Sequence, residues 1–389
     1  MSTTAVPAEA RVATRPTWAE VSLGRLRTNF QSLQRHVGKD VTVCTVVKAD
    51  AYGHGAVECS LALQKEGATW LGVTSLDEAI PLRNAGIQTR ILLMTGFWHG
   101  EESEIVRLGL TPTVWEVEQV EALNRAARIA PRFPIHLKID TGMGRLGASF
   151  TNLSGVCDTL RRSSNLTLEG VSTHLASSEV LGAASVDQQL LRFAEARSML
   201  SDAGFNPSLV HAANTGAVIS RKATLFNMVR PGIALYGYHL PFERQGQPDS
   251  STTFNFNVAP VLDWKTRILS LQKIPANQPL GYGGTYVTKT DSMIAVLPVG
   301  YADGLNRQLS SRGRVIVGGQ YAPIVGRISM DLTLVDVTGI PGVAAGDEVV
   351  ILGTSGKLAI DALEHARLAS TSVYEVLCSI SKRVPRKYN

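Results

Sequence analysis

The sequence predicts an α/β chain: an N-terminal (β/α)8 TIM-like barrel followed by a C-terminal mostly-β domain. From about Thr17 to Tyr238, short apolar runs alternate with segments of helical periodicity, the pattern of repeated βα units around a parallel sheet. After Pro241 the pattern changes. A polar stretch, "ERQGQPDSSTT", leads into β-branched runs broken by Gly and Asp turns, with no long amphipathic helix until about Ile360. A chain of 389 residues is long enough for one large core and one smaller one. The expected boundaries are a flexible tail at 1–16, a barrel at 17–240 and a β-rich domain at 241–389.

The opening "MSTTAVPAEARVATRP" has no apolar core for a secretory signal, and Pro7 and Pro16 disfavour a continuous helix, so it reads as a tail. Its Ser, Thr and Ala content with Arg11 and Arg15 also suits an organelle transit peptide. Candidate barrel strands are "VCTVVK", "LGVTS", "RILLMTG", "IHLKIDTG", "LEGVSTHL", "LVHAAN" and "MVRPGIALYG", giving seven or eight βα units. Between them lies a helix at 187–203, with Leu190, Phe193, Ala196 and Leu200 on one face and Ser185 with Gln188 as a capping box. In the C-terminal part, "SMIAVLPVG", "RVIVGG", "APIVGRISMDLTLVDV" and "DEVVILG" suit a small β-barrel or sandwich.

Composition narrows the class of function. With 44% hydrophobic and 18% charged residues the chain reads as a soluble globular protein, neither disordered nor membranous. The net charge of +5 is spread along the chain, which argues against a nucleic-acid face. Cys44, Cys59, Cys157 and Cys378 show no C-x-x-C spacing, so reduced thiols, a cytoplasmic location and no metal site are expected.

In a parallel βα barrel the C-terminal strand ends converge on one mouth, where active sites are built. Lys48, Lys138, Arg145, His174, Asn214 with Thr215, and Arg230 all sit at or just after such ends. Each has an ordinary structural explanation. Lys48 suits a snorkelling lysine, His174 a satisfied core histidine, and Arg145 a partner for a carboxylate. So many polar residues closing apolar strands are better explained by a shared site.

The motifs "VVKADAYGHG", "KIDTGMGRLG", "VRPGIALYG", "GYGGTY", "GYADGLNR", "GRISMD" and "VYEVLCSISKRVPR" run in order from residue 46 to the end. Together they resemble the successive motifs of alanine racemase, a fold type III pyridoxal phosphate enzyme with a βα barrel and a C-terminal β domain. The resemblance implies pyridoxal 5'-phosphate joined to Lys48, with Tyr52, Asn214, Thr215, the amides of Gly232 and Ile233, and Tyr374 around the cofactor. Glycine at 232 allows close backbone approach to an anion. Arg230 would face the pyridine nitrogen. An arginine there can only donate, which makes the ring a weaker electron sink than a carboxylate would.

By the same resemblance Lys48 and Tyr282 serve the two faces of the substrate as acid and base. His174 and Arg230 stand behind the tyrosine, and Arg145 contacts the cofactor and the substrate carboxylate. A free tyrosine titrates near 10, so bringing it to about 7 needs roughly 4 kcal/mol of differential stabilisation, which nearby cations must supply. Tyr301, Met330 and Asp331 resemble pocket and substrate-access residues. Lys138 matches a lysine that is carbamylated in many relatives; an ordinary surface lysine is the equal alternative. Thr215 stands where serine is commoner and keeps the hydroxyl.

The implied function is interconversion of L- and D-alanine for peptidoglycan, by a cytoplasmic homodimer with shared active sites and no nucleic-acid or membrane partner. A serine or broad-specificity amino-acid racemase would use the same machinery, since one methylene in a pocket discriminates by only about 1–3 kcal/mol. A non-catalytic pyridoxal phosphate-binding protein is the alternative of a different class. It would lack the second domain and Tyr282. Related barrel decarboxylases lack the motif match.

Overall fold

The structure, a computed structural model, describes residues 15–244, 246–249 and 256–389. Most of the expected tail, residues 1–14, lies outside that range. Arg15 and Pro16 do not behave as tail. The Arg15 guanidinium makes two hydrogen bonds to Asp303 (2.9 and 2.6 Å), and the Pro16 carbonyl accepts from the Arg267 amide at 3.1 Å. The chain divides into two compact units, one formed by residues up to Glu20 with Leu262–Lys387, the other by Val21–Val261 with Tyr388 and Asn389.

The first strand, β1 (Thr17–Val21), does not open the barrel as expected. It lies in the C-terminal unit's main sheet, between Leu262–Arg267 and Arg386–Tyr388. Its five residues are almost wholly buried, so no alternation distinguishes it from a barrel strand. The barrel proper closes from β2 (Thr42–Val46), β3 (Trp70–Val73), β4 (Arg90–Leu93), β5 (Thr111–Val114), β6 (Phe133–Lys138), β7 (Leu166–Ser172), β8 (Leu209–His211) and β9 (Met228–Val229). All neighbours are parallel, and Thr42 opposite Met228 closes the ring. Cys44, Trp70, Leu92 and Met228 pack as one apolar cluster in its interior. Strand β5, with sequence TPTV, is absent from the candidate strands because four residues containing a proline read as a turn.

Helix Leu23–Val37 starts at Ser22, whose hydroxyl accepts the Arg25 amide, and buries Leu26, Phe30, Leu33 and Val37 on one stripe. Asn29 on that stripe donates to the carbonyls of Leu235 and Ala259 and accepts from the Ala259 amide, each at 2.9 Å. This pinning holds Ala259 on the barrel, and the division falls at Val261 instead of residue 240. Helix Ala184–Asp202 buries Phe193, Ala196 and Leu200 as expected, with Val186 and Gln189 in place of Leu190. The expected capping box is not formed. Ala183 is the N-cap and makes no side-chain bond, so Ser185 already lies inside the first turn.

The C-terminal unit is mostly β. Its main sheet runs Gln320–Pro323, Arg314–Val317, Glu348–Ser355, Leu262–Arg267, β1, Arg386–Tyr388, with Leu358–Ile360 paired to Glu348–Ser355. A second sheet joins Ser270–Ile274, Ser292–Leu297 and Thr333–Asp336. Helices Ala362–Ala369 and Val373–Ser379 follow, each capped by a side-chain oxygen, from Asp361 and Ser372. Among the described residues no helix is long and apolar enough to cross a membrane.

Candidate active site

Lys48 leaves β2 through an unusual turn. Ala49, Asp50, Ala51 and Tyr52 all have φ between 51° and 54°, consecutive left-handed residues with no glycine among them. For L-residues that conformation costs roughly 1–2 kcal/mol each, so the surroundings must hold it. The Ala51 amide donates to the Val47 carbonyl and the Gly55 amide to the Asp50 carbonyl, both at 2.9 Å. Glu78 accepts the Ala49 amide at 2.7 Å, and Asp50 accepts the Ala56 amide at 2.7 Å. The buried His54 ring contacts the carbonyls of Ala51 and Tyr52 through Nδ1, at 2.9 and 3.0 Å.

Around Lys48 the barrel mouth gathers positive charge. Lys138, the last residue of β6, is only 8% exposed, so it is not a surface lysine. Burial, then the charges of Arg230 and Arg145, bring its amine down to about 8. His174, two residues past β7, is pushed down to about 3 by burial and by Arg230, Lys138, Arg145 and Lys48, so it is neutral. Arg145 lies in the loop after β6. There Asp140 accepts the amides of Gly142, Met143 and Gly144 (2.9–3.1 Å) and is thereby occupied as a counter-charge. Lys48, Lys138, Arg145 and Arg230 therefore share one mouth, whose positive field favours a small anion.

Next to the cations is a cradle of backbone and hydroxyl groups. Asn214 caps the short helix Thr215–Ser220 by accepting the Ala217 amide at 3.0 Å, and Thr215 Oγ1 accepts the Gly232 amide at 3.1 Å. Gly232 and Ile233 follow Arg230 after Pro231 and are buried. Tyr52 is buried too, so close that a Cβ on residue 232 would stand 2.2 Å from its hydroxyl oxygen. Arg230 is buried, its pKa lowered to about 10 by burial, and remains a cation. It donates through Nη1 to His211 Nδ1 (2.5 Å) and through Nη2 to the carbonyls of Thr173 (2.8 Å) and Ala212 (3.2 Å). Of its five N–H groups, those bonds leave two without an acceptor among the described residues.

The remaining predicted residues belong to the C-terminal unit. Tyr301, Met330 and Asp331 are brought together: the Tyr301 and Ala302 amides donate to the carbonyls of Ser329 and Met330, each at 3.0 Å. Arg383 holds the Asp331 carboxylate at 2.7 Å, while Arg15 donates to the Asp331 carbonyl at 2.9 Å. Tyr374 is partly buried in helix Val373–Ser379. Tyr282 opens a one-turn 3-10 segment and is 71% exposed.

Sequence reasoning missed the residues behind the mouth. Gln189 accepts the Ala176 amide and donates to the His174 carbonyl, both at 2.9 Å, so it fixes the segment that carries His174. His211 and His136 are fully buried in the barrel and share a 2.9 Å hydrogen bond. His136 lies two residues before Lys138 in β6, hence on the same inward row, and that spacing was the available signal.

A closed βα barrel that gathers a lysine, a buried arginine and a hydroxyl-lined backbone turn at its mouth has the architecture of a barrel enzyme. Family models for the alanine racemase N-terminal domain and C-terminal domain match residues 21–240 and 261–388. The alanine racemase of Halothermothrix orenii is 40% identical over 376 residues, covering 96% of this chain and 97% of that protein. Among solved structures, alanine racemase from D-cycloserine-producing Streptomyces lavendulae has a TM-score of 0.88 and 33% identity, covering 97% of this chain and 98% of that one. The enzyme of Bartonella henselae, solved with covalently bound pyridoxal phosphate, has a TM-score of 0.85 at 28% identity, covering 97% of this chain and 100% of that one. The chain belongs to the alanine racemase family, amino-acid isomerases of fold type III.

Proposed function

We propose that the chain interconverts L- and D-alanine with pyridoxal 5'-phosphate held at the barrel mouth, as a cytoplasmic homodimer supplying D-alanine for peptidoglycan. The observation that carries this reading is the convergence of Lys48, Lys138, Arg145 and Arg230 beside the Gly232 cradle. The cradle fits the cofactor. Its phosphate needs cations and close backbone approach, which Gly232 permits, and its ring nitrogen needs a donor, which Arg230 retains. Tyr52, Asn214, Thr215, Gly232, Ile233 and Tyr374 would hold it, with Lys48 as the point of covalent attachment. When bound, the cofactor supplies the electron sink that makes the Cα proton of an amino acid acidic.

The chain's own residues do the rest. Lys48 Nζ takes and returns the Cα proton on one face, and the Tyr282 hydroxyl does so on the other. Arg145 receives the substrate carboxylate. Neutral His174 and cationic Arg230 stand behind the tyrosine, and Tyr301, Met330 and Asp331 border the pocket. A Lys138 amine brought down to about 8 is partly neutral near pH 7 and so open to carbon dioxide, forming a carbamate with release of a proton. The carbamate would place an anion beside Arg145. The exposed Tyr282 suits a shared site in which one chain's Tyr282 serves its partner's Lys48. Buried thiols at Cys44, Cys59 and Cys157 favour a reducing compartment.

The test is racemisation of L-alanine followed by circular dichroism, with and without added pyridoxal phosphate, beside serine, lysine and arginine. Cofactor-dependent turnover fastest on alanine is expected. Cofactor binding without turnover of any amino acid would leave a carrier, and serine as the best substrate would reassign the specificity. The cradle makes its own prediction. Gly232→Ala puts a methyl against the Tyr52 hydroxyl and is expected to weaken cofactor affinity by at least about tenfold, roughly 1.4 kcal/mol. Titration of the cofactor-free variant by absorbance measures it. Wild-type affinity would remove Gly232 from the cradle.

A further inference from the structure

Beneath Arg230 a row of polar side chains crosses the barrel interior away from the mouth. Arg230 Nη1 meets His211 Nδ1 at 2.5 Å, and His211 Nε2 meets His136 Nδ1 at 2.9 Å. His136 Nε2 faces Glu169 Oε2 at 3.6 Å, in ion-pair range though too long for a hydrogen bond. Glu169 in turn receives both Arg90 Nη atoms, at 2.7 and 2.6 Å. Arg90 is the first residue of β4, so the row ends at the opposite end of the strands.

The row looks built. The register between β6 and β7 shifts at Glu169: Leu168 lies opposite Ile135 and Gly170 opposite His136, so Glu169 is the extra residue of a bulge. Bulges re-aim side chains. Gly170 makes room for the imidazole, since a Cβ there would lie 2.6 Å from the His136 ring.

The polarity of the row follows from its ends. A guanidinium has no acceptor, so His211 Nδ1 must accept and its proton sits on Nε2. That Nε2–H donates to His136 Nδ1, which places the His136 proton on Nε2, facing the carboxylate. Burial disfavours the charged form of both rings: it drives His211 well below the usual histidine range with Arg230 adding to it, and lowers His136 although Glu169 opposes. Burial disfavours the charge on Glu169, but His136 and Arg90 outweigh it and hold the carboxyl at about 2. Arg230, Lys138, Glu169 and Arg90 are the charged groups facing the two rings.

We propose that Glu169, acting from the far end of the barrel, favours the same tautomers of His136 and His211 that Arg230 demands at the mouth, and that the two ends together fix the orientation of the Arg230 guanidinium. Glu169, His136 and His211 are positioning residues. The inference rests on the reading of Arg230 as the partner of the cofactor's ring nitrogen.

Two substitutions break the same ion pair and separate this role from a structural one. Arg90→Met leaves the carboxylate acceptor in place. Glu169→Gln replaces the carboxylate, which only accepts, with an amide that can also donate to His136 Nε2, so the far end no longer enforces the polarity that Arg230 demands. Long-range proton–nitrogen spectra of histidine-labelled protein report the tautomers directly. Wild type and Arg90→Met are expected to show His136 and His211 as neutral Nε2–H forms at pH 8, and Glu169→Gln to lose that signature at both rings. An Nδ1–H or doubly protonated ring in wild type, or an unchanged Glu169→Gln spectrum, would overturn the inference. Binding of pyridoxal phosphate, followed separately by absorbance, tests the reading beneath it: no binding with the tautomers as expected would sink that reading and leave the Glu169 row standing.

Discussion

Lys48→Ala is expected to abolish racemisation, with a loss of about 10⁴-fold or more, because one side chain is asked both to anchor the cofactor and to move the Cα proton. The effect should be chemical and not a matter of stability. Lys48 is only partly buried, and the turn behind it is held by backbone bonds and by Glu78 and Asp50, none of which needs the lysine side chain. Borohydride treatment of the wild-type protein should fix the cofactor's mass to the Lys48 peptide, and the variant should show no such adduct. Recovery of the label on another lysine, or a variant that keeps activity, would reassign the anchor.

The second large effect concerns assembly. Lys48 belongs to the barrel unit and Tyr282 to the C-terminal unit. If each site pairs Lys48 of one chain with Tyr282 of the other, the Lys48→Ala and Tyr282→Ala homodimers are each inactive but complement one another. A random equimolar mixture contains roughly half heterodimers with one intact site of two, so about a quarter of wild-type activity should return. The assay follows dissociation and reassociation, with subunit exchange confirmed by mass. Exchange without recovered activity would refute the shared site.

The sequence carried the architecture well where a barrel strand read as an apolar run closed by a polar residue, even one as short as β8, and the exceptions have particular causes. β5 has a proline and four residues, and β1 is buried throughout, so its membership in the C-terminal sheet depends on pairing over more than 200 residues of separation. The polar stretch after Pro241 read as a domain boundary, yet Asn29 ties Ala259 to the barrel. At the mouth, position at a strand end was enough to find Lys48, Lys138, His174 and Arg230. Their field was not legible, because the lowering of His174 and Lys138 is a property of burial and assembled cations. The row from His211 to Arg90 was hidden for a related reason: a histidine inside an apolar strand looks like any core residue until its neighbours are known.

The left-handed turn at Ala49–Tyr52 has a consequence for chirality. Its backbone is the mirror image of one turn of ordinary α-helix, so its natural occupants are D-amino acids. D-alanine at 49 or 51 would lie in its own preferred well, and a semisynthetic chain carrying it would gain about 1–2 kcal/mol per site. Encoded chains offer only glycine as a way to relax such a residue, and here none is used. The chain sets the root of Lys48 in a shape that belongs to the opposite hand, the same hand as the D-alanine it is proposed to make.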